Sequence, residues 1–423
     1  MCYRIAGIDV HKRMLAVVVA DVATEGDYVF ERRQFGANPD ELRKLADWLI
    51  AQNVQEVVME STAQYWRPVW STLERYWSAQ CRGAEGAGPM SGSLLLALAQ
   101  SNRGPRGRKR DFVDAERLLK RLVAQELVLS FVPDAEQRVW RTVVRRKYQL
   151  TRDRVRLQNQ LESLLEEAQI KLSSLVSDLF GLSARRMLRA LADGQTDPAA
   201  LAALGDRRLH ASREQLCDAL GAATDLKSTY RRLVGMALDE LQLLERHMSQ
   251  LDQEMADLLS SHQDTVRRLA EVPGLGVESA HQIIAEVGVA ARTFPSEKHL
   301  ASWIGVCPGE QESAGVSASN RSPKGNRLMR RLLNQCANAA VKVKGSIFEI
   351  VFRRLLPRLG FKQAIWAIAH RLSRLIWKIL HQGVRYEERG PAVNQKSRSA
   401  RTAKMIKELK NLGYRVELTQ DPA

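Results

Sequence analysis

The sequence predicts an α/β unit followed by an almost wholly helical region, an α/β plus all-α chain, and three observations carry that reading. Residues 4 to 35 hold three apolar runs of strand length. Helices and strands then alternate as far as about residue 99, and beyond residue 111 the apolar residues recur at threes and fours. At 423 residues the chain is too long for one ordinary core, so two or three domains are expected.

The first three runs, "RIAGIDV", "MLAVVVADV" and "YVFERRQF", are separated by polar or glycine-bearing turns and read as a β-meander. Asn38 and Pro39 form a cap and first-turn pair, and Leu42, Leu45, Ala46 and Leu49 follow at helical spacing. "QEVVMES" is a fourth strand ending at Glu60, and "AQYWRPVWSTLERYW" has the spacing of a second helix. "LLLALA", residues 94 to 99, is a fifth strand or a buried helical turn, which periodicity alone does not separate. This is the element order of a ribonuclease H-like domain, placed at residues 1–130.

Residues 131–265 read as a helical arm. Val143, Leu150, Leu157 and Leu164 fall seven apart, with Leu161 and Ala168 between, so 135 to 171 is predicted as one long helix with a coiled-coil seam. A second long helix, 225 to 262, carries Leu233, Ala237, Leu241, Leu244, Met248, Leu251, Met255 and Leu258. The two pair either as an antiparallel hairpin within the chain or as a coil between subunits. A helical C-terminal domain is placed at 266–385, and a basic tail, linker then short amphipathic helix, at 386–423.

Sixty-four lysines and arginines against 48 acids give a net charge of +16, which points to a polyanionic partner. No apolar run approaches the roughly 18 residues of a spanning helix, and the N-terminus has no signal-peptide core, so a cytoplasmic protein is expected. Five cysteines without C-x-x-C or Cys/His ligand spacing argue against a disulfide framework and a structural zinc.

Asp9 and Glu60 each end a buried apolar strand, where a carboxylate is costly unless it is paired or holds a metal. Asp111 and Asp114 are three apart at a helix start and project from one face. Together the four suit one or two Mg²⁺ ions, which prefer oxygen ligands and polarise phosphodiesters; Asp111 taken alone reads first as a helix N-cap. Just before them, Arg103, Arg106, Arg108, Lys109 and Arg110 lie in the open loop "SNRGPRGRKRD" and would draw nucleic-acid phosphate toward the metal, or are simply a solvated run. On the long helix, "RVWRTVVRRKYQLTRDRVR" sets eight cations against one acid and reads as a backbone-binding strip.

"LAEVPGLGVESAHQIIAEVG" is helix, glycine turn, helix. Gly274 and Gly276 would let backbone amides reach a phosphate, as in a helix-hairpin-helix, although a structural αα-corner has the same pattern. In "QESAGVSASNRSPKGN", Ser313 stands in a small-residue turn near Arg321, Lys324 and Arg327, with Arg330 and Arg331 further on. With no histidine nearby in the sequence, the residues alone favour a plain loop serine over a nucleophile aimed at phosphorus with cations to hold the developing charge.

The chain resembles the DEDD transposases, recombinases of insertion sequences that include pilin-gene invertases. "GIDVHK", "VVMESTAQYWRPVW" and "GRKRDFVDAERL" are similar to the three acidic motifs of that family's RuvC-like domain; "VPGLGVESAHQIIAEVG", "FPSEKHLASWIGVCPGEQESAGV" and "SPKGNRLMRRLL" are similar to its C-terminal transposase domain. The resemblance implies Asp9, Glu60, Asp111 and Asp114 as the metal-binding tetrad and Ser313 as the nucleophile. It also implies DNA strand exchange on target and donor through a phosphoserine, a homo-oligomer from dimer to tetramer, and a structured guide, the bridge RNA. The rival readings are a junction-resolving nuclease that uses metal-activated water, and a non-catalytic nucleic-acid-binding assembly factor.

Overall fold

The structure, a computed structural model, describes residues 3–23, 28–61, 63–78, 92–99, 111–308, 311–313, 316–319, 322–388 and 395–417. They form two compact units, Met1–Ala135 and Glu136–Ala423.

The first unit is a mixed sheet in the order β3-β2-β1-β4-β5-β6. Strands β1 (Arg4–Val10), β2 (Met14–Asp21) and β3 (Glu31–Gly36) are the antiparallel meander. The third strand starts later than the sequence suggests; Tyr28 and Phe30 pack in a small apolar cluster ahead of it. Helix α1 (Pro39–Ala51) begins as expected, the Asn38 side chain accepting from the Glu41 amide at 2.9 Å with Pro39 in the first turn. Strand β4 (Val54–Glu60) joins β1 in parallel, and β5 (Ser93–Ala97) joins β4 in parallel, which settles "LLLALA" as a strand. Between them α2 (Trp66–Leu73) runs on into a π-helical turn, Glu74–Ser78, that buries Trp77. Helix α3 (Asp111–Val123) and the short edge strand β6 (Leu129–Ser130) complete the unit.

Both faces of this sheet are covered, which is why β1 and β2 read as continuous apolar runs rather than as alternation. Ala6, Ile8, Val10, Leu15, Val17 and Val19 share a core with Leu45, Leu49, Leu73 and Trp77 of the α1/α2 layer. Ile5, Val18 and Ala20 face α3 through Ala115 and Leu119, and Val58 and Ala97 face it through Leu118.

In the second unit α4 (Ala135–Glu167) and α8 (Ser228–Leu258) run antiparallel within the chain. Lys147 meets Asp252 at 2.5 Å, Arg154 meets Glu245 at 3.7 Å, and the Tyr230 hydroxyl donates to Glu167 at 3.2 Å, so partners ascend one helix as they descend the other. This is the hairpin alternative. On α8 the buried stripe begins at Val234 and Leu238, not at Leu233 and Ala237, and Leu233 is 40 % exposed. The stripe shifts because α5 (Leu182–Ala192), α6 (Pro198–Ala202) and α7 (Arg213–Ala219) pack into the same core and rotate the side that needs covering.

A second apolar cluster gathers α9 (Gln263–Ala270), α10 (Val277–Val287), α11 (Glu297–Ile304), α12 (Arg327–Ala340) and α13 (Ile347–Gln382), the last broken at Gly360 by non-helical backbone. Between α11 and α12 lie the short paired strands β7 (Gln311–Ser313) and β8 (Val316–Ser319). In the tail placed at 386–423, residues 386–388 are not helical, and Gln395–Asn411 form one helix, α14, longer than the short terminal helix expected. Among the described residues no helix is long and apolar enough to cross a membrane.

Candidate active site

Period-two alternation aims the strand acids. Gly7 touches α3 and Asp9 follows it by two; Val58 packs on α3 and Glu60 follows it by two, so both carboxylates point to the α3 side of the sheet. Ile8 pairs with Met59 in the parallel ladder, so Asp9 and Glu60 come next as neighbours at one end of it. On α3, Asp111 and Asp114 extend toward the N-terminus the stripe that Ala115, Leu118 and Leu119 bury against the sheet.

The observed cluster is Asp9, His11 and Asp111, whose ligand atoms lie within 4.8 Å of one another. His11 Nε2 is 3.1 Å from Asp9 Oδ2 and 3.2 Å from Asp111 Oδ1. The Asp9 carboxyl sits above its ordinary pKa, mainly through burial; His11 pulls it down, while the charges of Asp114, Glu60 and Asp111 push it up. A buried carboxylate with other acids close by gains from a divalent cation, and the oxygen and imidazole donors present fit one. Asp114 accepts from Arg117 at 2.5 Å, a partner within the same helix. His11 was not singled out from the sequence, yet the signal was present: it stands two residues past Asp9 in "IDVHK", at the mouth of an apolar strand.

In the second unit Ser313 is the last residue of β7, paired with Val316 of β8. The base of this hairpin is pinned. Arg330 donates to the carbonyls of Gly305 and Pro323, and to Ser322 Oγ at 3.1 Å. The Asn326 amide donates to the Trp303 carbonyl at 3.1 Å, and a β-carbon on Gly325 would meet the Ile304 carbonyl oxygen at 2.1 Å. Asn326 also caps α12 and donates at 3.3 Å to Glu286. Glu286 is only 2 % exposed and is gripped by both guanidinium arms of Arg145, at 3.0 and 3.1 Å. Arg330 is therefore a structural fork rather than a free phosphate ligand, and Arg331 lies over the Tyr148 ring at 4.7 Å. Lys324 and Arg327 are exposed, and among the described residues neither enters an ion pair.

Gly274 has φ +83°, and a β-carbon there would meet the Cys336 carbonyl oxygen at 2.4 Å and the Ala340 amide at 2.5 Å, so its lack of a side chain lets the turn lie on α12. Gly276, the N-cap of α10, has open space around it. The α4 strip is narrower than its composition suggests. Helix packing brings acids of neighbouring helices alongside, so Arg141 and Arg145 pair with Glu286, Lys147 with Asp252 and Glu278, and Arg154 with Glu245, while Arg156 pairs with Asp153 within α4 itself. Arg103, Arg106, Arg108, Lys109, Arg110 and Arg321 lie outside the described residues, as does the side chain of Ser313.

A sheet in this order with acids gathered at the ends of β1 and β4 and the start of α3 is consistent with a ribonuclease H-like domain of the DEDD kind. A transposase family of that kind matches residues 6–170, and the family described as "Transposase IS116/IS110/IS902 family" matches residues 266–350. The chain belongs to this IS110/IS116/IS902 group of transposases, enzymes that cleave and rejoin DNA. It is 27 % identical over 287 residues to a "Probable family 20 transposase" of Pseudomonas aeruginosa, covering 66 % of this chain and 75 % of the relative. It is 24 % identical over 280 residues to the "Transposase for insertion sequence element IS1328" of Yersinia enterocolitica, covering 65 % and 72 %. A "Pilin gene-inverting protein" of Moraxella bovis is 26 % identical over 150 residues, 34 % of this chain and 46 % of that protein.

Proposed function

We propose that the protein moves an insertion sequence by serine-dependent strand exchange, with a structured guide RNA selecting target and donor DNA. Ser313 Oγ attacks phosphorus; a P–O bond to serine forms, the P–O bond to the neighbouring nucleotide breaks, and the departing strand oxygen takes up a proton. The hydroxyl of the exchanged strand then attacks the phosphoserine and releases the serine. Bond energy is conserved, so no cofactor need be consumed.

Asp9, Glu60, Asp111 and Asp114, with His11 beside them, would hold Mg²⁺, which when bound polarises a phosphoryl oxygen. The acids fix the position of the charge, and exposed Lys324 and Arg327 steer phosphate toward the serine hairpin. Assembly as a dimer to tetramer would let one subunit's serine work with another's acids. The observation that carries this reading is the convergence of Asp9, His11 and Asp111, whose oxygen and nitrogen donors lie close enough together to share one cation.

The test incubates protein, flanking-derived RNA and nicked suicide DNA, and looks for a covalent protein–DNA adduct. Ser313→Ala should abolish the adduct, and absence of any Ser313-dependent adduct under active conditions rejects the nucleophile. A second reading has one observation behind it: the acid centre, with its histidine, lies wholly in the first unit. On that reading the protein is a nuclease that activates water, and Ser313→Ala still cuts DNA whereas Asp9→Asn does not.

A further inference from the structure

Within the second unit, α4, α8, α10 and α12 line an open-mouthed pocket of about 280 Å³ that neither the acids nor the serine hairpin uses. We propose that it takes a single unpaired nucleobase of the nucleic acid on which the protein acts, a site that rests on the DNA-processing role above.

Charge narrows the occupant first. Lys147 is held between Asp252 and Glu278 at 2.5 Å each, and the remaining cation of the lining, Arg331, lies over Tyr148. Two cations and two acids cancel, so neither a bare phosphate nor a metal ion gains a net attraction. Shape and polarity narrow it further. Leu251 and Met255 supply apolar wall, Tyr148 an aromatic ring, and Gln282 and Gln335 amides that both donate and accept. His281 lines the same space at 8 % exposure, its Nε2 has no hydrogen-bond partner among the described residues, and burial holds its imidazole below the ordinary pKa, hence neutral. A buried ring nitrogen without a partner is costly unless a ligand or water completes it.

The lining therefore suits a flat, neutral ring with a hydrogen-bonding edge. The volume lies just below the usual range for small-molecule sites, room for one ring system rather than a run of nucleotides. In a chain of net charge +16 that processes DNA, the neutral rings brought to this surface are bases drawn out of their stack.

The test uses the full chain and single-stranded probes made of abasic sugars with one central base, compared with the fully abasic strand, in DNA and in RNA form. Wild type should bind the base-bearing strand about tenfold more tightly in at least one form, the scale of a base–aromatic contact. Gln335→Ala, at an exposed position whose change leaves the fold intact, and His281→Phe should erase that preference while duplex binding stays unchanged. The sugar form that shows the preference says which strand supplies the base. Equal binding of base-bearing and abasic probes by wild type, or a preference that survives both substitutions, overturns the site. If wild type also fails to bind duplex, the DNA-processing reading falls with it; if duplex binding stands, only the cavity assignment falls.

Discussion

Gly7 lies so close to Ala115 that a β-carbon on the glycine would stand 2.5 Å from the Ala115 carbonyl oxygen and 3.3 Å from Cβ of Leu119. This contact seats α3 directly on β1, and so sets where Asp111 and Asp114 stand relative to Asp9. Gly7→Ala must lift the helix. Overpacking of this kind costs about 1–3 kcal/mol, readable in denaturant unfolding. The larger effect should be on chemistry, because a displacement near 1 Å misplaces catalytic groups at a cost of about a hundredfold in rate. Wild-type cleavage by Gly7→Ala would show that the helix seat does not control the acid cluster.

Asp9 should oppose folding and serve function. Burial and three neighbouring acids disfavour its charge, with only His11 working the other way. Without divalent cation, Asp9→Asn is therefore expected to melt higher than wild type at neutral pH. Adding Mg²⁺ or Mn²⁺ should raise the wild-type melting temperature by binding linkage and leave Asp9→Asn unmoved. Thermal melts with and without cation read both effects; an equal cation response in the two proteins would take Asp9 out of the metal site.

Much of this was legible beforehand because the informative residues sit at element ends. Asp9 is next to last in one apolar strand and Glu60 ends another, Asp111 starts a helix, and Asn38-Pro39 marks another, so one-dimensional pattern was enough to place them. The tertiary partners were not legible. Whether α4 and α8 pair within one chain turns on matches such as Arg154 with Glu245, ninety-one positions apart, which no local period encodes. The cation strip on α4 looked free for the same reason, since Glu286, which ties Arg141 and Arg145, comes from a different helix far along the chain. For His11 the nearness to Asp9 was legible, and only its tie to Asp111 needed the fold, because the approach of α3 makes it part of a cluster.

Arg330 offers a test of how far the serine hairpin depends on its base. Its guanidinium ties the residue that ends α11, Gly305, to Pro323 and Ser322 on the far side of the hairpin. Arg330→Ala removes charge-assisted hydrogen bonds worth roughly 1.5–3 kcal/mol each at most, and leaves the Gly305 and Pro323 carbonyls to water. Arg330→Lys should rescue little, because an ammonium cannot reproduce the planar fork. The expected outcome is covalent adduct formation reduced at least tenfold in both variants with duplex affinity kept. Full activity in Arg330→Lys would mean that position 330 supplies charge rather than geometry.

His281 should bend the acid side of the stability curve. Its imidazole titrates below the ordinary 6.5, first because it is buried; Asp252 and Glu278 pull upward, and Lys147 adds to the depression. A histidine whose folded pKa is depressed binds fewer protons in the native state than in the unfolded chain. Its contribution is therefore complete above about pH 6.5 and is lost as the pH falls from there through the lower folded value. The slope attributable to one such group reaches about 1.4 kcal/mol per pH unit. Measured on ligand-free protein, the unfolding free energy of wild type should drop faster below pH 6.5 than that of His281→Phe, and the two curves should run parallel above it. His370, also depressed by burial and by the charges of Arg374 and Arg371, is present in both proteins and cancels in the difference. If the curves stay parallel down to pH 5, His281 is not held neutral by the fold, and its unpartnered nitrogen carries no cost for a ligand to relieve.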